Sequence, residues 1–511
     1  GHLLDQFWSP LTNDLVGPYG ADTLENRMRF PMDVLGAIRK RVGSEFIVGF
    51  RYTADEAQKG GITAEDGLKI SKTLADTGQL DFLNVVRGRI HTDPAMTDLI
   101  PIQGMKNAPH LDFAGQVKKL TGMPTFHAAK IPDVATARHA VEAGLLDMVG
   151  MTRAHMADPH VVKKIIEGRE DDIRPCVGAT YCLDRIYEAG DALCIHNAAT
   201  GRELTMPHTI QPAEKKRKVV IVGAGPAGLE AARVAAERGH NVVVFEAQPD
   251  PGGQIRLTAQ SPRRREMISI IDWRMAQCAA RDVEFNFNRW AEAGDVIDQK
   301  PDVVIIATGG MPNTELFETG KDSTHVVTSW DIIAGDVKPA DSILIYDESG
   351  DHAALQAAEV AANTGAKVEI MTPDRTFSAG VMAMNLVPYM RSLQDKDTTF
   401  TVARRLLGVE RRGNKLEAQI GTDYSDHSDI QEYDQVVVNY GTLPLDELYF
   451  DLKDLSSNGG SVDHDALIKG HTQNIVKNSG GEFQLFRIGD AVSARNTHAA
   501  IYDALRLLKD I

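Results

Sequence analysis

The stretch that most constrains this chain is Val219-Val220-Ile221-Val222-Gly223-Ala224-Gly225-Pro226-Ala227-Gly228, an apolar β-branched run that breaks into G-x-G-x-x-G. The run reads as a strand, and residues 226–238 read as the helix that follows the glycine turn. Each glycine has a separate role. Gly223 makes the tight turn, Gly225 lets the backbone approach a pyrophosphate, and Gly228 lets the helix pack on the strand. The helix then turns its positive end toward the phosphates. Glu246 closes the next strand eighteen residues after Gly228, where a carboxylate accepts hydrogen bonds from ribose hydroxyls. Gly223, Gly225, Pro226, Ala227, Gly228 and Glu246 therefore form a candidate dinucleotide site.

Three further motifs sharpen that reading. They are Pro251-Gly252-Gly253-Gln254, Ala307-Thr308-Gly309-Gly310 after a strand, and Ile488-Gly489-Asp490-Ala491 ahead of a helix. Together they resemble flavoproteins of the glutathione-reductase-like class, which carry two dinucleotide-binding domains. The resemblance implies FAD, or ADP alone, bound at 223–228, with Gly253, Gln254, Thr308, Gly309, Gly489 and Asp490 around it. A second strand–loop–helix unit begins near Ser342, but its loop reads Tyr346-Asp347-Glu348-Ser349-Gly350-Asp351. A nicotinamide loop needs glycines where Tyr346 and Glu348 stand, and Asp347, Glu348 and Asp351 would repel a diphosphate. This second unit is expected to be a relic that no longer binds NAD(P).

The first third alternates helix-period and strand-like segments. Helices are expected at 24–42, 64–76, 111–120, 134–142 and 160–167, with strands at 46–52, 80–86, 124–129 and 147–151. Alternation of this kind builds parallel βαβ units. Four such units make half of a TIM (β/α)8 barrel, and a bare half would expose two sheet edges. The chain opens Gly1-His2-Leu3-Leu4, without Met and already inside an apolar pattern. About four further units are therefore expected upstream.

Residues 174–200 differ in kind. Cys176, Cys182 and Cys194 fall within nineteen positions, in a chain with four cysteines overall. So few cysteines do not make a disulfide framework, and close thiols in a reducing compartment read as ligands of a metal or cluster. Cys278, on a helix, reads as a core thiol. The segment from Ile173-Arg174-Pro175-Cys176 to Cys194-Ile195-His196-Asn197 resembles the iron–sulfur segment of the trimethylamine dehydrogenase / 2,4-dienoyl-CoA reductase family. The order of parts is similar to that family along the whole chain. The family has a cysteine three positions after the first, where this chain has Ala179. Three thiolates hold a [3Fe–4S] cluster, or a [4Fe–4S] cluster with one other ligand, for which His196 is a candidate. The alternative is a lost cluster that left its cysteines behind.

The resemblance implies an α/β chain in five parts. Residues 1–172 would be the C-terminal half of an FMN-binding TIM barrel, and 173–212 the iron–sulfur segment and linker. Residues 213–330 and 446–511 would form one Rossmann-like FAD- or ADP-binding domain, with 331–445 the degenerate NAD(P)-like domain. Arg51 would lie against the flavin, at the end of the first strand, where positive charge stabilises the reduced ring. Ala129, Lys130, Met151, Thr152 and Arg153 would hold the FMN phosphate in the loops after barrel strands seven and eight. The family has arginine at Lys130, and lysine keeps the charge without the bidentate geometry. His91, after the second strand, is the candidate catalytic acid, base or charge stabiliser, and equally reads as an ordinary loop histidine. His2 lies near the family's strand-four histidine.

Two activities follow from the resemblance. One is dehydrogenation or N-demethylation of a methylated amine, with electrons passed from FMN through the cluster to an external acceptor such as an electron-transfer flavoprotein or partner subunit. The segment 176–203 is similar to the dimethylglycine or N-methylproline demethylase branch. The alternative is an NAD(P)H-driven ene reductase of the 2,4-dienoyl-CoA type. A third class, a non-enzymatic electron-transfer subunit, would follow if the barrel's other half were absent. The net charge of -16 argues against a nucleic-acid partner. The sequence has no apolar run long enough to span a membrane and no secretory signal pattern, so a cytoplasmic location is expected; a homo-oligomer is a separate expectation.

Overall fold

The computed structural model describes residues 3–314 and 326–511, so His2 lies outside the described residues. The chain divides into two compact units, one of Gly1–His155 with His160–Glu170, the other of Met156–Pro159 with Asp171–Ile511.

The first unit is a parallel sheet of β1 (Gly49–Asp55), β2 (Phe82–Arg87), β3 (Thr125–His127) and β4 (Met148–Val149), in that order. All four expected strands are present, each followed by helix. Helix Leu24–Val42 starts at Thr23, whose side chain accepts from the Asn26 amide, and ends on Arg39, Lys40 and Arg41. A cap at the start and cations in the last turn suit the helix dipole. Helix Ala64–Asp76 is capped in the same way by Thr63. Tyr52, Ala54, Leu83 and Val85 from the strands pack with Met28, Leu35, Ile70, Leu74, Phe113 and Val117 from the helices. The other face of the sheet carries Arg51, which pairs in register with Asn84, and the stacked rings of Phe82 and Phe126.

One correction concerns β1. The sequence suggested 46–52, whereas the strand runs Gly49–Asp55. Phe46 and Ile47 are apolar but 61% and 71% exposed, and the alternation that matters is Phe50, Tyr52, Ala54. Arg51 therefore lies within the strand and not at its end.

The second unit holds two five-stranded parallel sheets. Its strands begin with β5 (Lys218–Val222), β6 (Asn241–Phe245), β7 (Glu284–Asn286), β8 (Val303–Ile306), β9 (Gly310–Pro312) and β10 (Val326–Thr328). They continue with β11 (Ser342–Asp347), β12 (Lys367–Met371), β13 (Thr398–Thr401), β14 (Arg405–Arg412), β15 (Lys415–Gly421) and β16 (Asp429–Tyr433). The last are β17 (Gln435–Asn439), β18 (Thr442–Pro444) and β19 (Gln484–Arg487). One sheet has the order β19-β8-β5-β6-β7 and the other β10-β17-β11-β12-β13. The two share one plan, as the paired strand–loop–helix signals implied. The antiparallel sheet β14-β15-β16 was not foreseen. No helix among the described residues is long and apolar enough to cross a membrane.

Candidate functional site

The glycine loop joins β5 to helix Pro226–Glu237. Gly223 has φ +103, and a Cβ there would lie 2.3 Å from the Ala307 carbonyl oxygen. A Cβ on Gly228 would meet the Gly223 oxygen at 1.8 Å. By contrast, a Cβ on Gly225 would meet nothing within 4 Å, so the space above this loop is open where a pyrophosphate would sit. Pro226 takes the first helical turn, where its missing N–H costs nothing. Glu246 directly follows β6, and its carboxylate accepts from the Ala224 amide at 2.7 Å.

The later motifs come to the same place. A Cβ on Gly253 would lie 3.5 Å from the Gly225 Cα, and one on Gly489 would lie 2.9 Å from the Ala227 Cβ. Gln254 donates to Asp490 at 3.0 Å. Burial raises the Asp490 carboxyl above its usual range, against the Arg495 amide and Gln254, which lower it. Thr308 donates its hydroxyl to the Leu445 carbonyl, and the Gly309 carbonyl accepts from the Leu445 amide at 3.0 Å. The sequence motifs around 223, 246, 253, 308 and 489 thus converge at one end of one sheet, and the open cradle above Gly225 fits a dinucleotide.

The second loop is closed on itself. Asp347 accepts from the amides of Ser349 at 3.1 Å and Gly350 at 2.9 Å, and from the Asn439 side chain at 2.9 Å. Tyr346 is fully buried and donates to Glu348, which pairs with Arg405. The amides at the turn are thus already satisfied by the chain's own carboxylate.

The three clustered thiols are half-buried, whereas Cys278 is buried with Sγ 3.8 Å from the Leu229 carbonyl oxygen. Cys182 lies in the first turn of helix Tyr181–Tyr187, after Thr180 in a left-handed conformation at φ 59. Burial pushes the Cys194 thiol up to about 11, and the Cys176 thiol adds to that; the His196 and Asn197 amides and Arg174 act in the opposite direction. Backbone amides and a cation directed at a buried sulfur suit a thiolate. Among the described residues, no three His, Cys, Asp or Glu side chains gather around a single ion site. A cluster binds its thiolates through separate irons and needs no such point. These residues fit the group. Ala179 is buried, and its carbonyl accepts from Asn385 at 3.0 Å. The His196 ring is fully buried, bonded through Nδ1 to the Pro175 carbonyl at 2.9 Å and packed against Trp273, with Nε2 unpartnered.

A charged layer beneath this segment was not legible in the sequence. Glu230 accepts from Arg233 at 2.7 Å and from Arg274 at 2.9 Å, and all three are buried. Arg274 also donates to the His196 carbonyl at 3.0 Å.

In the first unit the phosphate-loop candidates sit together, since β3 pairs β4 and the Gly150 amide bonds the His127 carbonyl at 2.8 Å. Ala129 and Lys130 have φ of 122 and 44, an uncommon conformation for residues other than glycine. Lys130 is buried and donates to the Met105 carbonyl. Met151 precedes Thr152, the first residue of helix Thr152–Ala157. Arg153 donates Nη2 to the Pro101 carbonyl at 2.9 Å, while its Nη1 is buried without a partner. That unspent donor beside the two loops fits a phosphate. His91 is exposed on the turn after β2. The sequence missed a pair of histidines: His110 and His127 have ring centroids 6.3 Å apart, and each keeps a buried, unpartnered nitrogen. Burial pushes His127 down to about 4, so it is neutral at physiological pH.

Half of a parallel barrel and a doubled dinucleotide fold define a flavin-dependent oxidoreductase. Residues 1–172 match the NADH:flavin oxidoreductase / NADH oxidase family, and residues 217–501 match the pyridine nucleotide-disulphide oxidoreductases. The chain is 68% identical over 511 residues to a probable N-methylproline demethylase of Rhizobium meliloti, covering 100% of this chain and 75% of that protein. It is 43% identical over 520 residues to the N,N-dimethylglycine/sarcosine dehydrogenase of Chromohalobacter salexigens, again covering 100% and 75%. Among solved structures, a 2-naphthoyl-CoA reductase in complex with 2-naphthoyl-CoA superposes with a TM-score of 0.85 at 27% identity, covering 100% of this chain and 72% of that one. The chain belongs to the NADH:flavin oxidoreductase / NADH oxidase family, in the branch of the trimethylamine dehydrogenase type that carries both modules.

Proposed function

We propose that this protein is an amine oxidoreductase that removes an N-methyl group from a small secondary or tertiary amine of the N-methylproline or dimethylglycine class. The observation that carries the reading is the 68% identity, over the whole of this chain, to a probable N-methylproline demethylase. The products are the demethylated amine and formaldehyde, with water supplying the oxygen. FMN, if held by the loops at Ala129–Lys130 and Met151–Arg153, would supply the acceptor for the methyl hydride, and a centre held by Cys176, Cys182 and Cys194 would supply single-electron transfer toward an external acceptor such as an electron-transfer flavoprotein.

The chain's own residues divide the remaining work. Arg153, Lys130 and Thr152, with the backbone at Ala129 and Met151, hold the FMN phosphate. Arg51, on the face of the sheet that the helices leave bare, offers positive charge to the flavin ring. His91 is the candidate proton carrier on the substrate side. Cys176, Cys182 and Cys194 hold a [3Fe–4S] or [4Fe–4S] centre, and the loop at 223–228 holds FAD or ADP. The self-satisfied turn at 347–350 supports an enzyme that takes no electrons from NAD(P)H. We place the protein in the cytoplasm, where its thiols stay reduced, and expect a homo-oligomer.

Anaerobic titration of the holoenzyme tests this reading. N-methylproline or dimethylglycine should bleach the flavin absorbance within one turnover and release formaldehyde, while NADPH should not bleach it. Bleaching by NADPH, with oxidised flavin persisting under both amines, would sink the amine reading in favour of an ene reductase.

A further inference from the structure

A chain of contacts runs from the cysteine segment into the dinucleotide fold. The guanidinium of Arg174, two residues before Cys176, lies over the indole of Trp273 with Cζ 4.2 Å from the ring centroid. Trp273 is itself fixed, because its Nε1 donates to the Asp172 carbonyl at 3.0 Å. Two more guanidinium groups border the same ring, Arg233 at 5.6 Å and Arg274 at 5.7 Å. The three cations are not equal. Arg233 and Arg274 share the Glu230 carboxylate, and Arg233 also reaches Glu237 at 2.7 Å. Arg174 forms no such close pair: its Nε is buried with no hydrogen bond, Arg233 and Arg274 repel it, and Glu230 and Asp158 offset that repulsion only in part. A guanidinium held out of water without a close counter-charge is costly. The stack also places it against the cysteine segment, because Trp273 packs on the ring of His196, two residues after Cys194, with centroids 5.5 Å apart, and Arg174 itself stands two residues before Cys176.

Building on the iron–sulfur reading above, we propose that Arg174 is a positioning residue for the centre held by Cys176, Cys182 and Cys194. Clamped flat on Trp273, it supplies positive charge that favours the reduced, more negative form of that centre. An electron added beside a partly buried cation is stabilised more than one added beside a neutral group, because screening is weak there. The stack on Trp273 matters as much as the charge, since it prevents the side chain from swinging into solvent. A planar guanidinium stacks on an indole, whereas an ammonium does so less well.

The test is an electron-paramagnetic-resonance redox titration of the holoenzyme and of Arg174→Gln, Arg174→Lys and Trp273→Leu, with iron and sulfide assayed in each. Arg174→Gln should keep its iron and sulfide and make reduction of the centre about tenfold less favourable, about 59 mV for one electron. Arg174→Lys should fall between that variant and the parent. Trp273→Leu, which keeps the charge but frees it, should shift in the same direction as Arg174→Gln. An unchanged midpoint in Arg174→Gln with iron intact overturns the proposal. If Arg174→Gln loses its iron, the other two variants decide, and unchanged midpoints in both overturn it equally. A parent enzyme without iron or sulfide would instead defeat the iron–sulfur reading itself.

Discussion

Gly228 packs so closely on Gly223 that a Cβ added to it would stand 1.8 Å from the Gly223 carbonyl oxygen. Gly228 and Gly225, three residues apart in the same loop, thus separate folding from binding. Gly228→Ala forces backbone atoms apart and should cost about 1–3 kcal/mol or more, with a lower melting temperature and loss of bound nucleotide. Gly225→Ala adds its methyl to open space at an ordinary φ of -73. It should melt like the parent yet release little or no FAD or ADP on denaturation. Full nucleotide content in purified Gly225→Ala would show that the ligand does not use this loop.

The four cysteines should behave as three plus one. Cys176→Ser, Cys182→Ser and Cys194→Ser should each cost the protein most of its iron and sulfide. Cys278 is buried in the apolar core against the Leu229 carbonyl. Cys278→Ala should leave the iron content unchanged and lower stability by about 1 kcal/mol through the small cavity. Iron assays across the four variants check this, and equal loss in all four would contradict a site formed by the clustered thiols alone.

Asp347 gives the second unit a pH-dependent stability. Burial, with Asp351 beside it, pushes its carboxyl up to about 7, although Gly350, Asn439 and Ser349 all donate to it. The unfolded chain releases this proton near pH 4, while the folded chain keeps it until about 7. Protons are then bound more tightly by the folded state, so stability falls as pH rises through that window. The whole effect is about 4 kcal/mol, at about 1.4 kcal/mol per pH unit. Asp347→Asn keeps an oxygen for the three donors and removes the titration. Its melting temperature should therefore gain on the parent's between about pH 4 and about pH 7 and hold a constant lead above that. A gap that stays constant with pH would assign the cost elsewhere.

The sequence showed some of these parts better than others, for physical reasons. The loop at 223–228 was legible because its glycines answer to backbone geometry, which is local. The helix Leu24–Val42 was legible through its period and charged end, and β17 and β19 through short apolar runs. β1 was misplaced because Phe46 and Ile47 are apolar yet exposed. β14 and β15 were missed because Glu410, Arg411, Arg412 and Lys415 give their outer positions the look of a loop. Glu230 and Arg233 read in sequence like an ordinary solvated helix pair, yet they are 1% and 4% exposed. Only the approach of Arg274 and Trp273, some forty residues away in the chain, makes that pair part of a buried network.

Arg153 offers the sharpest test of the barrel half. Its Nη2 is committed to the Pro101 carbonyl, and its Nη1 is buried with nothing to bond. A buried donor left unsatisfied costs about 1–3 kcal/mol, and a phosphate oxygen would recover that as a charge-assisted bond. Arg153→Ala should therefore weaken FMN binding by about tenfold to a hundredfold, at about 1.4 kcal/mol per factor of ten. Arg153→Lys should restore part of it, because the charge returns without the fork that bonds Pro101 and phosphate together. Equilibrium dialysis of FMN against deflavinated protein reads the difference. Affinity equal to the parent's in Arg153→Ala would move the phosphate away from the loops after β3 and β4.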